Sequence, residues 1–298
     1  MIRLSEASTD GATSIRIRSN PHEATRTLLC TEHSMYEFVI NSIGEGGDIA
    51  EQLAERIATF GTAGMNLDRA GSDIPPLLPT AHCSAFVCSF GYTFNYINGV
   101  LAPERDAPDW YYKGHGASLS SATTTLVRPY YGSGMTIEGE HVAVYLVDRA
   151  GRPRYIGYSL ANDASDATLR HEKPSLSALS KLYSTPIARE LLVHPLPASR
   201  EITANIIRDG NVIWEQTGLL GTDHMRFPLA DLERLLFQHS HLLIPGMVFY
   251  VLLGAAISSS KDWIELTHGD RIVMKTSEDS LEVSSTFLDE AVIYSCCV

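Results

Sequence analysis

The chain has 298 residues, 44% apolar and 19% charged, enough for one large or two modest domains with a true core. That balance excludes a disordered chain. With 35 acidic against 23 basic residues the formal charge is −12, the opposite of a nucleic-acid binder. No apolar run reaches the roughly 18–20 residues of a membrane helix. Small-molecule or metal chemistry fits best.

In chain order, MIRLSEASTDGATSIRIRS has no apolar stretch after its basic residue, so no secretory signal is expected and the location is expected to be cytoplasmic. Five cysteines, Cys30, Cys83, Cys88, Cys296 and Cys297, lack disulfide-scaffold or zinc spacing and read as free thiols. Ser14–Arg18 alternates as a strand. Asp48–Phe60 sets Ile49, Leu53, Ile57 and Phe60 on one helical face, with Asp48 as cap and Gly61 as stop. Asp73–Pro79 holds three prolines and reads as a linker. A small N-terminal α/β domain, 1–78, is therefore expected before a larger domain, 79–298.

The larger part is rich in strand signals: Val142–Val147, Tyr155–Leu160, Met247–Leu253 and Arg271–Lys275. Glu201–Ile207 and Val212–Glu215 flank a hairpin tip at Asp209-Gly210. Pro228–Phe237 reads as a helix with Pro near its first turn. The fold class is α+β, mostly β, a sandwich or rolled sheet; the alternating helices of a doubly wound sheet are missing.

The most informative chemistry lies between Glu138 and Asp163. In a strand starting at Glu138, the carboxylates of Glu138 and Glu140 point to one face, roughly 6–7 Å apart. The chain turns through Asp148–Gly151 and returns to Asn162-Asp163, so a hairpin could bring Asp163 to the glutamates. Three converging carboxylates need a hard cation or a raised pKa, and an all-oxygen set suits Mg²⁺, Mn²⁺ or Ca²⁺ rather than zinc. Spacing alone favours exposed strand-end charges, since E-x-E is common.

The stretch GEHVAVYLVDRAGRPRYIGYSLANDASDA resembles the metal-binding core of the fumarylacetoacetate hydrolase superfamily. The match runs through Glu138, Glu140, Gly157, Tyr158, Asn162, Asp163 and Ser165. Ser180-Lys181, the Glu201–Glu215 hairpin, Pro245-Gly246 and Gly254 resemble further family pieces. Tyr112-Lys113-Gly114 and the linker resemble a bacterial branch linked to sugar-acid catabolism. The resemblance covers most of residues 30–275. It implies a mixed β-sandwich roll, a homodimer, Glu138, Glu140 and Asp163 as metal ligands, and a 2-keto or β-dicarbonyl acid as the small-molecule partner. Family reactions share a metal-held enolate.

The sequence also departs from the family. The histidine of a water-activating dyad falls at Gly99, within Phe94–Gly99, and Glu104 is a weak substitute. The sugar-acid branch's T-H pair is Thr93-Phe94, the P-G-D turn reads Pro245-Gly246-Met247, and a carboxylate-binding threonine is replaced by Ala255. These changes suggest a more apolar pocket wall, a larger or less polar substrate, and a non-hydrolytic outcome such as decarboxylation, dehydration, isomerisation or cyclisation. Lys181 is the candidate donor to a developing enolate, and His224 a replacement acid/base. Lys113 is a candidate for binding an acidic group. Tyr92, Tyr158 and Ala255 are candidate substrate contacts, although alternation favours the core for Tyr158. His141 should face away from the carboxylates, and His239 with His241 has no third ligand nearby. The rival readings are a C–C hydrolase and a non-catalytic binding protein of the same fold.

Overall fold

The computed structural model describes residues 1–9, 12–18, 26–30, 34–44, 46–59, 72–129 and 132–290. The N-terminal part runs β1 (Ile2–Thr9), β2 (Ala12–Arg18), β3 (Arg26–Cys30), α1 (Met35–Ser42), α2 (Ile49–Thr59) and β4 (Ser72–Ile74). Next come β5 (Ala85–Gly91), β6 (Tyr96–Ile97), β7 (Val100–Leu101), β8 (Asp109–His115), β9 (Leu119–Ser120) and β10 (Thr125–Arg128). The central hairpin is β11 (Glu138–Val147) and β12 (Pro153–Asn162), followed by α3 (Ala167–Glu172), β13 (Thr185–Pro186) and β14 (Glu190–Val193). The chain closes with β15 (Arg200–Arg208), β16 (Asn211–Leu220), α4 (Leu229–Phe237), β17 (Val248–Leu252), β18 (Ile257–Ser258), β19 (Arg271–Thr276) and β20 (Glu282–Asp289).

Eleven strands form the main sheet, along the path β3-β2-β1-β14-β12-β11-β17-β5-β8, with β4 on β1 and β18 on β11. A five-stranded sheet, β10-β20-β19-β15-β16, packs against one face. The result is a mostly β, mixed sandwich: β5 runs parallel to β17 and β10 to β20, while the other long pairs are antiparallel.

Strand β11 shows why its sequence is a continuous apolar run. Ala143, Tyr145 and Val147 face the second sheet, beside Ile202, Ile206, Ile272 and Phe287. Val142, Val144 and Leu146 face the other way, toward Leu4 and Ile15 of the N-terminal strands and Phe38, Leu53 and Ile57 of the helices. Burial on both faces removes the usual polar alternation.

Local signals explain the satellite elements. Asp48 Oδ1 accepts from Glu51 N at 2.9 Å, the cap expected for α2, whose Leu53 and Ile57 are buried. Phe60 and Gly61 lie outside the described residues. Helix α1 was not expected, although Ser34 and Glu37 form a capping box: Glu37 N donates to Ser34 Oγ at 3.2 Å and Ser34 N to Glu37 Oε2 at 2.9 Å. At the β15–β16 tip, Asp209 and Gly210 both have positive φ, 50° and 80°, as a two-residue hairpin of this hand needs.

The sheet does not break at the boundary expected near residue 78. Ile2–Ser5 of β1 pairs antiparallel with Glu190–Val193 of β14, so the N-terminal strands extend the main sheet. Among the described residues, no helix is long and apolar enough to cross a membrane.

Candidate metal centre

The β11–β12 register builds the site. Gly139 pairs with Asn162, and Asp163 N donates to Glu138 O at 2.8 Å, which places the third carboxylate beside the first two. Side-chain oxygens of Glu138, Glu140 and Asp163 lie within 4.8 Å of one another. Asp163 and Glu140 are buried and Glu138 is half-buried. Among the described residues, no other group of three His, Cys, Asp or Glu gathers in this way.

Asp163 is held on all sides. Lys113 Nζ lies 2.6 Å from Oδ1, while Lys181 Nζ and Ser89 Oγ donate to Oδ2 at 2.7 and 2.6 Å. Lys181 Nζ also donates to Glu138 Oε2 at 2.7 Å. Burial opposes the charge of Asp163, but Lys113 and Lys181 outweigh it and hold this carboxyl far below the usual range. The same ion pairs hold Lys181 protonated: burial opposes its charge, and Asp163 and Glu138 outweigh burial.

Glu140 differs. Its Oε2 accepts from Gly254 N at 2.7 Å, made possible by a backbone with φ of 97° where a Cβ would collide with Thr93. Burial, then repulsion from Asp163 and Glu138, push its pKa well up; Lys181 and the Gly254 N–H counter this only in part. The site is therefore short of positive charge at Glu140. A hard divalent cation with oxygen ligands fits that deficit and this donor set.

The adjoining pocket encloses about 60 Å³ and is lined by Tyr92, Asp109, Tyr111, Glu138, Glu140 and Arg170 on one side. Lys181, Ala255, Ser258, Ser260 and Lys261 complete much of the wall. Tyr92 and Ala255 thus stand where substrate contacts were sought. The wall is nonetheless polar, contrary to the apolar one expected from Ala255: one methyl is outnumbered by charges and hydroxyls from β8, α3 and the segment after β18.

Three expected site residues stand elsewhere. Lys113 is 1% exposed and contacts the site from behind, with Nζ donating to Ala164 O at 3.1 Å and Lys181 O at 3.0 Å. It is a support for Asp163 rather than a substrate contact. Tyr158 is fully buried between the sheets, and its OH donates to Asp279 Oδ2 at 3.0 Å. The alternation of β12 turns it away from the pocket. His224 lines a separate cavity of about 370 Å³ with Tyr96 and Glu201, its Nε2 2.7 Å from Ser199 Oγ. It does not line the acidic pocket; its backbone oxygen accepts from Asn95 N at 3.1 Å.

The β6–β7 hairpin settles Gly99. Asn98 and Gly99 form its tip with φ of 51° and 72°, and Asn98 Oδ1 and Nδ2 bind Ser258 N and O at 2.8 and 2.9 Å. No acid/base side chain stands at that position. His141 is buried against Tyr158, ring centroids 5.2 Å apart. Among the described cysteines, Cys83 and Cys88 are free. Ser89, Tyr111, Arg170, Ser258 and Lys261 had no motif to reveal them; strand pairing and the helix after Asp163 deliver them.

No family model matches the chain, and no curated protein matches it. Solved structures do. One is 2-keto-3-deoxy-D-arabinonate dehydratase complexed with magnesium and 2,5-dioxopentanoate, 16% identical with a TM-score of 0.67 over 97% of this chain and 99% of that one. A second is 2-hydroxyhepta-2,4-diene-1,7-dioate isomerase from Mycobacterium marinum, 14% identical with a TM-score of 0.63 over 97% and 99%. A third is fumarylacetoacetate hydrolase from psychrophilic Exiguobacterium antarcticum, 15% identical with a TM-score of 0.65 over 97% and 100%. The likeness spans both sheets and the N-terminal strands: the chain has the fold of the fumarylacetoacetate hydrolase superfamily.

Proposed function

We propose that the protein is a divalent-metal-dependent enzyme that enolises a bound 2-keto or β-dicarbonyl acid, with a non-hydrolytic outcome. The observation that carries this is the triad of Glu138, Glu140 and Asp163 within 4.8 Å, with Glu140 lacking a balancing cation. The magnesium-bound dehydratase and the isomerase of the same fold support it.

Held by these three carboxylates, a cation such as Mg²⁺, Mn²⁺ or Ca²⁺ would supply Lewis acidity to the substrate's carbonyl oxygens. The protein's own groups do the rest. Lys113 and Ser89 fix Asp163 in one orientation. Lys181, held protonated by Asp163 and Glu138, donates hydrogen bonds rather than protons, and would stabilise negative charge as it develops on an enolate oxygen. Asp109 is the carboxylate on the pocket wall outside the proposed ligand set, and the candidate to take a substrate proton. The hairpin tip at Gly99 brings no water-activating side chain, which favours outcomes other than hydrolysis.

Two measurements test this. Millimolar Mg²⁺ or Mn²⁺ should stabilise the parent protein against unfolding, by about 2.7 kcal/mol at a hundredfold excess over Kd, and leave Asp163→Ala unmoved. The loaded protein should exchange deuterium at C3 of a 2-keto acid without cleaving it. Carboxylates indifferent to all of Mg²⁺, Mn²⁺ and Ca²⁺ would sink the proposal.

A further inference from the structure

In β2 the isoleucines of Ile15-Arg16-Ile17-Arg18 face the helices, packed with Leu4 of β1. Strand alternation then puts Arg3, Arg16 and Arg18 on the opposite face of these two strands. Arg3 and Arg18 are direct cross-strand partners, a position in which like charges repel. Both line a cavity of about 330 Å³, and Arg189, just before β14, brings a third guanidinium to it. Thr123, Ser280 and Ser284 also line it. The cavity shares no residue with the acidic pocket.

Arg3 is 6% exposed. Its Nη1 donates to Glu190 Oε2 at 2.9 Å, while its Nε has no hydrogen-bond partner among the described residues. A buried guanidinium with part of its donor set idle is costly, and the cost falls when a further acceptor arrives. Two carboxylates stand on the cavity wall. Glu190 is held by Arg3, and Glu282 lies 3.0 Å from Lys275. The wall with Lys275 thus sets four cations against two carboxylates, a formal surplus of two positive charges in a chain of net charge −12. Arg18 and Arg189 take part in other interactions as well, and the five donors of a guanidinium accommodate more than one partner.

We propose that this cavity is a second ligand site, separate from the metal centre, and that it takes a small phosphate monoester through Arg3, Arg18 and Arg189. A phosphate monoester brings close to two negative charges and three terminal oxygens. That matches the surplus and offers an acceptor to each of three guanidiniums. A carboxylate brings one charge and two oxygens, which satisfy a single guanidinium fork. The cavity is at the lower end of the size range of small-molecule pockets, so it holds the phosphate with a short organic part. The site needs no metal and stands whether or not the keto-acid reading does.

Calorimetric titration of the full chain with glycerol 3-phosphate, and with succinate as a dicarboxylate of similar charge, tests this. The protein is freed of metal so that no cation offers the phosphate another anchor. The parent should bind glycerol 3-phosphate at least about tenfold more tightly than succinate. Arg18→Gln and Arg189→Gln should each weaken glycerol 3-phosphate about tenfold, and Arg18→Lys should keep part of the affinity. Both Gln variants should bind Mg²⁺ as the parent does. Arg18 is half-buried and Arg189 exposed, so if unfolding midpoints show that Arg18→Gln does not fold, Arg189→Gln decides. No saturable binding of millimolar glycerol 3-phosphate overturns the proposal. So does equal affinity for succinate, or binding that neither Gln variant changes, which would put the ligand at the acidic pocket.

Discussion

Two of the buried acids, Asp163 and Glu6, are treated in opposite ways. At the end of the β11–β12 hairpin, Asp163 is completely enclosed yet kept ionised by two lysines and a serine hydroxyl. On β1, Glu6 is 3% exposed, forms no ion pair with a described lysine or arginine, and its Oε2 has no hydrogen-bond partner among the described residues. Burial, with a smaller push from Glu37, raises the pKa of Glu6 to about 7, against the pull of the Met35 backbone N–H. The first acid is held ready to be a ligand. The second is pushed toward its neutral form by burial. Burial alone thus says little about an acid's role; the cations that neighbouring elements deliver decide it.

The largest test of that contrast removes a cation. Lys113→Met should leave Asp163 buried against one fewer positive charge and cost about 3–5 kcal/mol in urea unfolding without metal. Part of this loss should return with Mg²⁺, which supplies charge at the same carboxylates. A small loss that Mg²⁺ does not alter would show that Lys113 is not what keeps Asp163 ionised.

Titration sharpens the contrast, because two buried groups act with opposite signs. His141 is fully buried with neither ring nitrogen hydrogen-bonded to a described residue; burial, opposed by Asp279 and aided by Arg200, lowers its pKa to about 4. A depressed histidine stabilises the fold fully above pH 6.5 and loses that contribution as pH falls through about 4, a span worth about 3 kcal/mol. His141→Phe should flatten this acid limb in unfolding curves at pH 7, 5.5 and 4. Glu6 does the reverse. Its contribution is complete below pH 4.5 and disappears as pH rises through about 7, a span worth about 2–3 kcal/mol. Glu6→Gln should therefore make the protein less sensitive to alkali between pH 5 and 8. If it leaves that limb unchanged, Glu6 is ionised in the fold and the contrast with Asp163 weakens.

Much of this could be read along the chain because the signals are local. The apolar runs of β11 and β12, the Asp-Gly tip of β15–β16 and the capped helix α2 each depend on residues a few positions apart. The E-x-E pair with Asn162-Asp163 was legible for the same reason: one hairpin joins them. Ser89 and Lys113 were not legible as supports of Asp163, since β5 and β8 reach it through the β5–β17 and β17–β11 ladders, across more than a hundred residues. Arg170 carried no motif, although a helix turn after Asp163 could have pointed to it. His224 looked eligible by chain position, and the structure places it in another cavity.

By itself, the sequence determined a mostly β molecule, its central hairpin, and three acids at one end of it, because side-chain alternation and turn chemistry act between near neighbours. Only the tertiary structure decided which lysines neutralise those acids, which acid stays short of charge, and which arginines meet around a separate cavity. Those outcomes depend on distances across ladders and sheet faces, where Coulomb energy and desolvation are set by packing rather than by order along the chain.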